Sequence, residues 1–395
     1  MAKRLAVPSK DSQLYIVGAL EAFKASRIQR LNIKKDVPST TIDELGNRLH
    51  VGDIADIPNV TLTFSAFDVG IKIFSVLTGV DYLAYPAAGV DIAELGEMDA
   101  IVLTKDDDAE DYVKSMHAKR LQIRDFAFSY SVDGESTEDY TAIGSEERYL
   151  KYNVKVEKFI TGTTTFTIAG TPRVLKNGSY ILSAILDGEY LEEVSGTPDA
   201  IGEFSYDNGT KTITTYDTRG SQLLVLFHED TAGDNWSDVG DTGMPAAIRG
   251  KEVTVTISAN SIPRVQNVTI NGTMNVQPVK EMGNKNIVGY QRQIPTVDGT
   301  ITVLDTDTEL ISLLTTGVLG SGEEWQPGEG CTTVTVSLEV KLYNPCDDTD
   351  VEKTVYVPEI TIVGDGYAQN VGNNATLTFN WKSTDARCLI YSGAR

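Results

Sequence analysis

Histidine and cysteine are scarce in this chain of 395 residues, with three of each. His50, His117 and His228 are scattered, each in a strand-like stretch, and single histidines in that setting are surface or packed residues far more often than catalysts. Cys331, Cys346 and Cys388 have no metal-ligand spacing and make an odd number. No disulfide framework follows, and folding in a reducing cytoplasm is expected. The motifs G-x-S-x-G, H-E-x-x-H, G-x-G-x-x-G and the P-loop are missing. No catalytic, cofactor-binding or metal residue is therefore assigned, and no cofactor is expected. The opening MAKRLAVPSKDSQLYIV starts basic but carries no sustained apolar run or small-residue cleavage site, so neither a signal peptide nor a membrane span is expected. Cations are also short: 34 Lys and Arg face 56 Asp and Glu, a formal charge of −22. Such a balance argues against a surface that grips nucleic acid by neutralising phosphates, and no aromatic–basic interleaving marks a single-strand groove.

Carboxylates are plentiful, yet no spacing singles out a pair for glycoside hydrolysis. The run Asp106-Asp107-Asp108-Ala109-Glu110-Asp111 lacks the glycine and terminal glutamate of an EF-hand loop and reads as a solvated loop. His228-Glu229-Asp230 with Asp234, Asp238 and Asp241 has the oxygen ligands for a Ca²⁺ ion, although acidic, glycine-rich loops also serve plain solubility. N-x-S/T sequons, among them Asn59, Asn177, Asn267 and Asn374, mean little without a secretory signal.

What the chain does contain is one stretch in two versions. From Arg27 to Pro58 and from Arg264 to Pro295 the sequence aligns without a gap. Arg27, Gln29, Ile33, Glu44, Gly46, Asn47, Val51, Gly52, Ile57 and Pro58 match their partners in the second copy. A duplication is inferred. Ile28, then Val60, Leu62 and Phe64, alternate with polar residues as in a half-buried strand, and Val265, Ile301 and Val303 repeat the period. Glu44–Asn47 and Glu281–Asn284 read as turns, since Gly and Asn tolerate positive φ. Asp68 or Asp307 opens an apolar run of helical spacing that Gly79 or Gly317 closes, which predicts a short helix in each copy.

Taken in order, Leu14–Phe23 reads as a strand or a short helix, and Met98–Leu103 as a strand. In His117–Asp133 the apolar phase changes across Arg124-Asp125, as at a β-bulge. The second half changes phase at Pro358-Glu359. Both strands are expected to end at Asp-Gly turns, Asp133-Gly134 and Asp365-Gly366. Between the halves, about Thr161 to Met244, turn pairs Asn177-Gly178, Asp187-Gly188 and Asn208-Gly209 punctuate short apolar runs. The fold class is mainly β: two tandem copies of a β-sandwich or barrel domain with a flanking short helix, plus a small all-β insert. The expected division is 1–160 for domain 1, 161–244 for an insert or strand-exchange segment, and 245–395 for domain 2.

These features, the R-(I/V)-Q strand ahead of a Gly-Asn loop, the strand–helix unit ending L-L-T-T-G, the bulged strand entering Asp-Gly and the opening strand AAIRGKEVTVTI at Ala246–Ile257, resemble the tail tube (major tail) proteins of tailed bacteriophages. The resemblance covers both halves and leaves the insert unexplained. It implies β-sandwich domains whose inner sheets join into one channel, stacked rings through which the genome is ejected, and, with two domains per chain, a trimeric ring of pseudo-sixfold symmetry. It further implies self-association, partnership with tape measure, terminator and baseplate proteins, and passage of DNA without specific binding. Acidic residues are expected toward the lumen. The implied location is the virion tail, assembled in the host cytoplasm. Ring-to-ring contacts are expected from the N-terminal lead-in and from Asp36–Arg48 or Thr273–Lys285, with the insert projecting as a decoration. A surface adhesin or a capsid-decorating protein of tandem β domains is the alternative, and a glycan hydrolase a third class.

Overall fold

The computed structural model describes residues 12–19, 21–43, 52–67, 70–79, 89–105, 112–160, 162–216, 222–229, 247–284, 286–304, 309–316, 334–369 and 374–395. In the first half, strands β1 (Ser12–Val17), β2 (Ala22–Ala25), β3 (Ile28–Asp36), β4 (Ser39–Ile42), β5 (Gly52–Ala55) and β6 (Asn59–Ala66) precede helix α1 (Lys72–Thr78). Strands β7 (Val90–Asp91), β8 (Glu97–Lys105), β9 (Tyr112–Ser131), β10 (Thr137–Gly144) and β11 (Glu146–Lys151) follow it. One antiparallel sheet runs β3–β6–β10–β9. The other runs β2–β1–β8–β9–β11. The lead-in that read as strand or helix is thus two strands, β1 and β2.

β9 belongs to both sheets by way of two bulges in its middle, at Lys119-Arg120 and at Arg124. Opposite β8, Leu121 pairs with Met98 and Ala118 with Ala100, so Lys119 and Arg120 together face one residue. Arg120 takes a positive φ of 50° there. Opposite β10, Ile123 pairs with Ala142 and Asp125 with Thr141, leaving Arg124 as the extra residue. Each bulge bends the strand and flips the following side chains, which is how a single strand turns the corner between two layers. The phase change expected at Arg124-Asp125 is this second bulge.

Apolar side chains from both layers meet between the sheets. Leu14 and Ile16 of β1 lie in one buried cluster with Val60, Leu62 and Phe64 of β6 and with Phe126 and Phe128 of β9. α1 covers the end of this core, Phe74 meeting the Phe128 ring edge-on at 6.3 Å between centroids. Gly79 ends the helix at φ 76°, donating to Ser75, as expected for a left-handed cap. At the other end the N-cap position is Ile71 without a side-chain bond; Asp68, expected to open the helix, lies outside the described residues.

Between the halves, β12 (Val154–Phe159), β13 (Thr165–Thr167), β14 (Ile181–Leu186), β15 (Glu189–Tyr190), β16 (Glu192–Glu193), β17 (Glu203–Asp207), β18 (Thr212–Thr215) and β19 (Leu223–His228) form two small sheets. Their orders are β12–β19–β14–β15 and β13–β18–β17–β16, so these strands pair with one another, as a separate all-β insert. The β12 strand at Val154–Phe159 pairs with β19, so the insert's sheet begins ahead of Thr161. One face of the first sheet packs Leu182, Ile185, Leu224 and Leu226 onto Tyr15, Val17, Ile101 and Leu103. The β1 and β8 runs are apolar on successive residues because both of their faces are covered.

The second half contains β20 (Val253–Ile257), β21 (Asn260–Ser261), β22 (Val265–Thr273), β23 (Val276–Val279), β24 (Gly289–Arg292), β25 (Thr296–Leu304), α2 (Glu309–Thr316), β26 (Val336–Asn344), β27 (Asp347–Ala368), β28 (Thr376–Ser383) and β29 (Leu389–Ser392). Its pairings, β20–β21, β20–β26, β22–β25, β23–β24, β25–β28, β26–β27, β27–β28 and β27–β29, follow the connectivity of β1–β2, β1–β8, β3–β6, β4–β5, β6–β10, β8–β9, β9–β10 and β9–β11. Registers agree as well: Ser39 faces Ala55 as Val276 faces Arg292, and Phe64 faces Tyr140 as Ile301 faces Phe379.

Two expectations are corrected here. β27 carries the counterparts of the mid-strand bulges of β9, Pro358-Glu359 opposite β26 and Val363 opposite β28. Pro358-Glu359 is therefore the counterpart of Lys119-Arg120, and Val363 that of Arg124; the phase changes matched in the sequence are different members of the two sets. Asp365-Gly366 is not a turn. Both residues are paired to β28, inside β27. Asp133-Gly134 does form a turn. The dipeptide was misleading because an exposed strand edge accepts Asp and Gly without penalty from packing.

Candidate assembly interface

The two halves share one sheet. β22 pairs antiparallel with the second part of β9, from Asn267 opposite Ser131 to Thr273 opposite Asp125. The strand order across the chain is then β3–β6–β10–β9–β22–β25–β28–β27. At this junction Ile270 faces Phe128 and Gly272 faces Phe126. A Cβ on Gly272 would stand 2.0 Å from the Phe126 ring, so the ring fills the space a side chain would need. The glycine is required by close approach, not by a turn.

The strand R-(I/V)-Q that occurs in both halves has a geometric role. Arg27 and Arg264 take φ of 51° and 62°. Gln29 and Gln266 are each skipped in the pairing to β6 and β25. Each Gln side chain donates back to the Arg carbonyl, Nε2 to O at 3.1 Å in both halves. The same carbonyls accept from Phe67 and Leu304 N–H at 3.2 and 3.1 Å. The shared residues thus build one bulge twice, at the start of β3 and of β22.

Further ties fix the halves together. Lys353 of β27 is buried against Glu138 of β10, with Nζ 4.6 Å from the Phe74 ring centroid and 5.1 Å from that of Phe128. β7 adds to β29, Val90 facing Ile390 and Asp91 facing Leu389. The β23–β24 arm folds over the first half: Tyr290 donates to the carbonyls of Arg120 and Ile143 at 2.9 and 3.1 Å. Arg292 donates to the carbonyls of Ala93 and Leu95 and to Gln122 Oε1.

Among the described residues, the edge is open at each end of the shared sheet. β3 pairs only with β6, and past its Pro358-Glu359 bulge β27 pairs only with β28 among the described residues. Val363 and Tyr367 there are 65% and 58% exposed. The β4–β5 arm, counterpart of β23–β24, is exposed along both strands, with Asp56 beyond it bridged to Lys280 at 3.2 Å. Of the loop segments expected to make contacts, Thr273–Lys285 leads into the arm that lies on the first half of the same chain. Its turn forms at Glu281–Asn284, with Gly283 at φ 88°. Residues 44–48 of Asp36–Arg48, and the Glu44–Asn47 turn, lie outside the described residues.

Among the described residues, those considered for chemistry are not brought together. His117 is buried, its Nε2 2.9 Å from Asp99 Oδ2. Asp99 also accepts from Ser183 Oγ at 2.5 Å, Tyr190 OH at 2.7 Å and the Arg120 N–H at 2.9 Å. Burial pushes the Asp99 carboxyl up, but the His117 charge, the bonds to His117 and Ser183, and Lys119 outweigh it and hold the group at about 2. Burial first, then the Asp99 charge, drive the Tyr190 phenol well above its usual range. Ser183 gives its hydrogen bond to the carboxylate, so this Ser, His and Asp link the insert to β8 and β9. Sequence reasoning missed Asp99, because a lone Asp in an apolar strand carries no motif. His228 Nε2 sits against the Lys151 carbonyl, and Glu229 lies 3.9 Å from Lys155 Nζ. Asp230, Asp234, Asp238 and Asp241, the run 106–111, His50 and Cys331 lie outside the described residues. Among the described residues no group of three His, Cys, Asp or Glu side chains could hold a metal ion. Cys346 is exposed and Cys388 buried, and burial raises the Cys388 thiol far above its usual value. No described helix is long and apolar enough to cross a membrane. No protein-family model matches the chain, and no curated protein is significantly similar to it.

Proposed function

We propose that the chain is a self-assembling structural protein, the tail tube subunit of a tailed bacteriophage, with two copies of one domain in each subunit. The observation that carries this reading is the shared sheet: two halves of matching connectivity and register joined edge to edge, with an open edge left at each end. Two like domains alternating around a ring repeat one junction, and a head-to-tail contact of that kind closes when the rotation allows. Three subunits would then give a pseudo-sixfold ring, and stacked rings a channel for genome ejection. The exposed β4–β5 arm is assigned to contacts between successive rings, and the insert to the outside.

The solvent face of the shared sheet suits a channel for DNA in a way the overall charge did not suggest. Short hydroxyl side chains line it, including Thr61, Thr63, Ser129, Thr269, Thr300 and Thr302, with Thr269–Thr300 hydrogen-bonded at 2.9 Å. Its charges stand in opposite-sign neighbours: Arg30–Asp139 at 3.3 Å, Lys34–Asp36 at 2.8 Å, Arg124–Asp125 at 2.7 Å, and Asp298 facing Lys382. Phosphates find few unpaired cations there and little net repulsion. The lining in this reading is near neutral, in place of the acidic one expected from the net charge.

Negative-stain electron microscopy of the purified chain over a range of concentrations tests the proposal. Rings or tubes with an axial channel and three subunits per ring are the expected result. Particles that stay monomeric at every concentration would overturn it and favour the adhesin or decoration class.

A further inference from the structure

The junction inside the chain specifies how two chains would join. We infer that the open edge of β3 adds antiparallel to the open edge of β27 in a second copy of this chain, with Ile33 opposite Tyr367 and Lys35 opposite Asp365; this rests on the self-association proposed above.

The register follows from two correspondences. β3 stands for β22, because Ile28 faces Ala66 as Val265 faces Val303, each followed by a skipped Gln. Ile33 therefore occupies the place of Ile270, and Lys35 that of Gly272. β27 stands for β9, because Gly364 faces Asn380 as Asp125 faces Thr141, and Asp365 faces Phe379 as Phe126 faces Tyr140. Asp365 therefore occupies the place of Phe126, and Tyr367 that of Phe128. Within the chain Ile270 faces Phe128 and Gly272 faces Phe126. Carried to the open edges, these pairs become Ile33–Tyr367 and Lys35–Asp365.

The chemistry of the substituted pairs agrees. Ile–Phe becomes Ile–Tyr, an apolar pair conserved in kind. Gly–Phe, in which a ring fills the space over a bare backbone, becomes Lys–Asp, two opposite charges directly across an antiparallel pair. Both positions changed together, and either mixture would be poor. Lys35 at the place of Gly272 would meet the Phe126 ring, where even a Cβ stands 2.0 Å away. Asp365 opposite Gly272 would lack a counter-charge. The two seams thus exclude each other's partners, which enforces the order of domains around the assembly. No ion pair joins Lys35 or Asp365 to another described residue; Lys34, next to Lys35, is taken by Asp36 at 2.8 Å. Open edges of this length are an aggregation hazard unless covered, and pairing between copies covers both at once.

The test uses the full chain with Cys331 and Cys346 replaced by Ser. Self-association is followed by sedimentation velocity, and each variant's thermal midpoint is compared with its parent to separate misfolding from lost contacts. Lys35→Asp and Asp365→Lys, each alone, place like charges across the seam and raise the concentration needed for assembly by about tenfold or more. The double variant restores assembly. Independently, chains carrying Ile33→Cys are mixed with chains carrying Tyr367→Cys and oxidised. A mixed disulfide dimer forms, because residues directly opposite lie within disulfide reach; Ile33→Cys mixed with Ala368→Cys gives far less. If the parent assembles but the charge variants do not shift it and both cysteine mixtures cross-link alike, the register is overturned and self-association stands. If the parent stays monomeric and no mixture cross-links, self-association itself falls, and the seam with it.

Discussion

Lys353, from the second half, places its ammonium on Glu138 of the first, and the two side chains are 1% and 0% exposed. Tyr140 donates to the other carboxylate oxygen at 2.5 Å, and the Phe74 and Phe128 rings flank the ammonium. A buried pair of this kind adds little net stability but is costly to break from one side. Lys353→Met is expected to destabilise the chain by about 3–5 kcal/mol, because Glu138 is left buried without its counter-ion. The double change Glu138→Met with Lys353→Met is expected to recover most of that loss. Urea unfolding of the two variants and their parent checks the pattern; equal losses for single and double changes would count against it.

The glycine at the internal junction gives a second prediction. Gly272→Val puts a branched side chain into space already filled by the Phe126 ring. The strand must shift or the ring must turn, at a cost of about 1–3 kcal/mol. Phe126→Ala in the same chain opens that space, so the two changes together should be less damaging than their sum. A thermal-denaturation cycle over the four proteins measures the coupling, and additive losses would show that the two residues do not meet as described.

The layout of strands was largely legible from the sequence, and the reasons are local. Alternation in Val60, Leu62 and Phe64, and the turns at Asn177-Gly178 and Asp187-Gly188, depend on neighbours a few residues away. The R-(I/V)-Q signature was visible as a repeat, whereas its role was not, since nothing in the letters shows that Arg27 and Arg264 take positive φ. Asp365-Gly366 misled for the complementary reason: the pairing of β27 with the next strand, β28, continues past this turn-forming dipeptide to Ala368 opposite Thr376. The interface was the least legible part. Gly272 against Phe126, and Asp99 under Ser183 and Tyr190, join residues far apart in the chain through packing that no short pattern encodes.

Arg292 holds the β23–β24 arm to the first half with a planar fork across two backbone carbonyls and the Gln122 amide oxygen. Burial, the largest influence on it, pulls the guanidinium below its usual range, although Glu97 and Glu94 oppose this. Lysine carries the charge but cannot reproduce a fork shared among three acceptors. Arg292→Lys is therefore expected to loosen the arm nearly as much as Arg292→Ala, with faster hydrogen exchange at Tyr290 and Gln291. Unchanged exchange in the Lys variant would mean that charge alone fastens the arm.

The pH dependence of the insert's attachment turns on Asp99. Its folded-state value of about 2 lies below the ordinary 3.8, so the folded chain binds this proton less readily than the unfolded chain. A depressed carboxylate contributes stability that is fully present above the unfolded value and is lost as pH falls through the folded one. The window is therefore about pH 4 down to about pH 2, and the contribution is on the order of 2 kcal/mol. Other carboxylates titrate over the same range, so the decisive quantity is the difference between the parent and Asp99→Asn. The amide keeps an acceptor for Ser183 and Tyr190 but removes the charge facing His117. That difference in stability should shrink steadily as pH falls from about 4 to about 2. Urea unfolding at intervals across that range, read by tyrosine fluorescence and near-ultraviolet circular dichroism, measures it. A gap that does not change between pH 4 and pH 2 would show that the Asp99 charge does not hold the insert to β8 and β9.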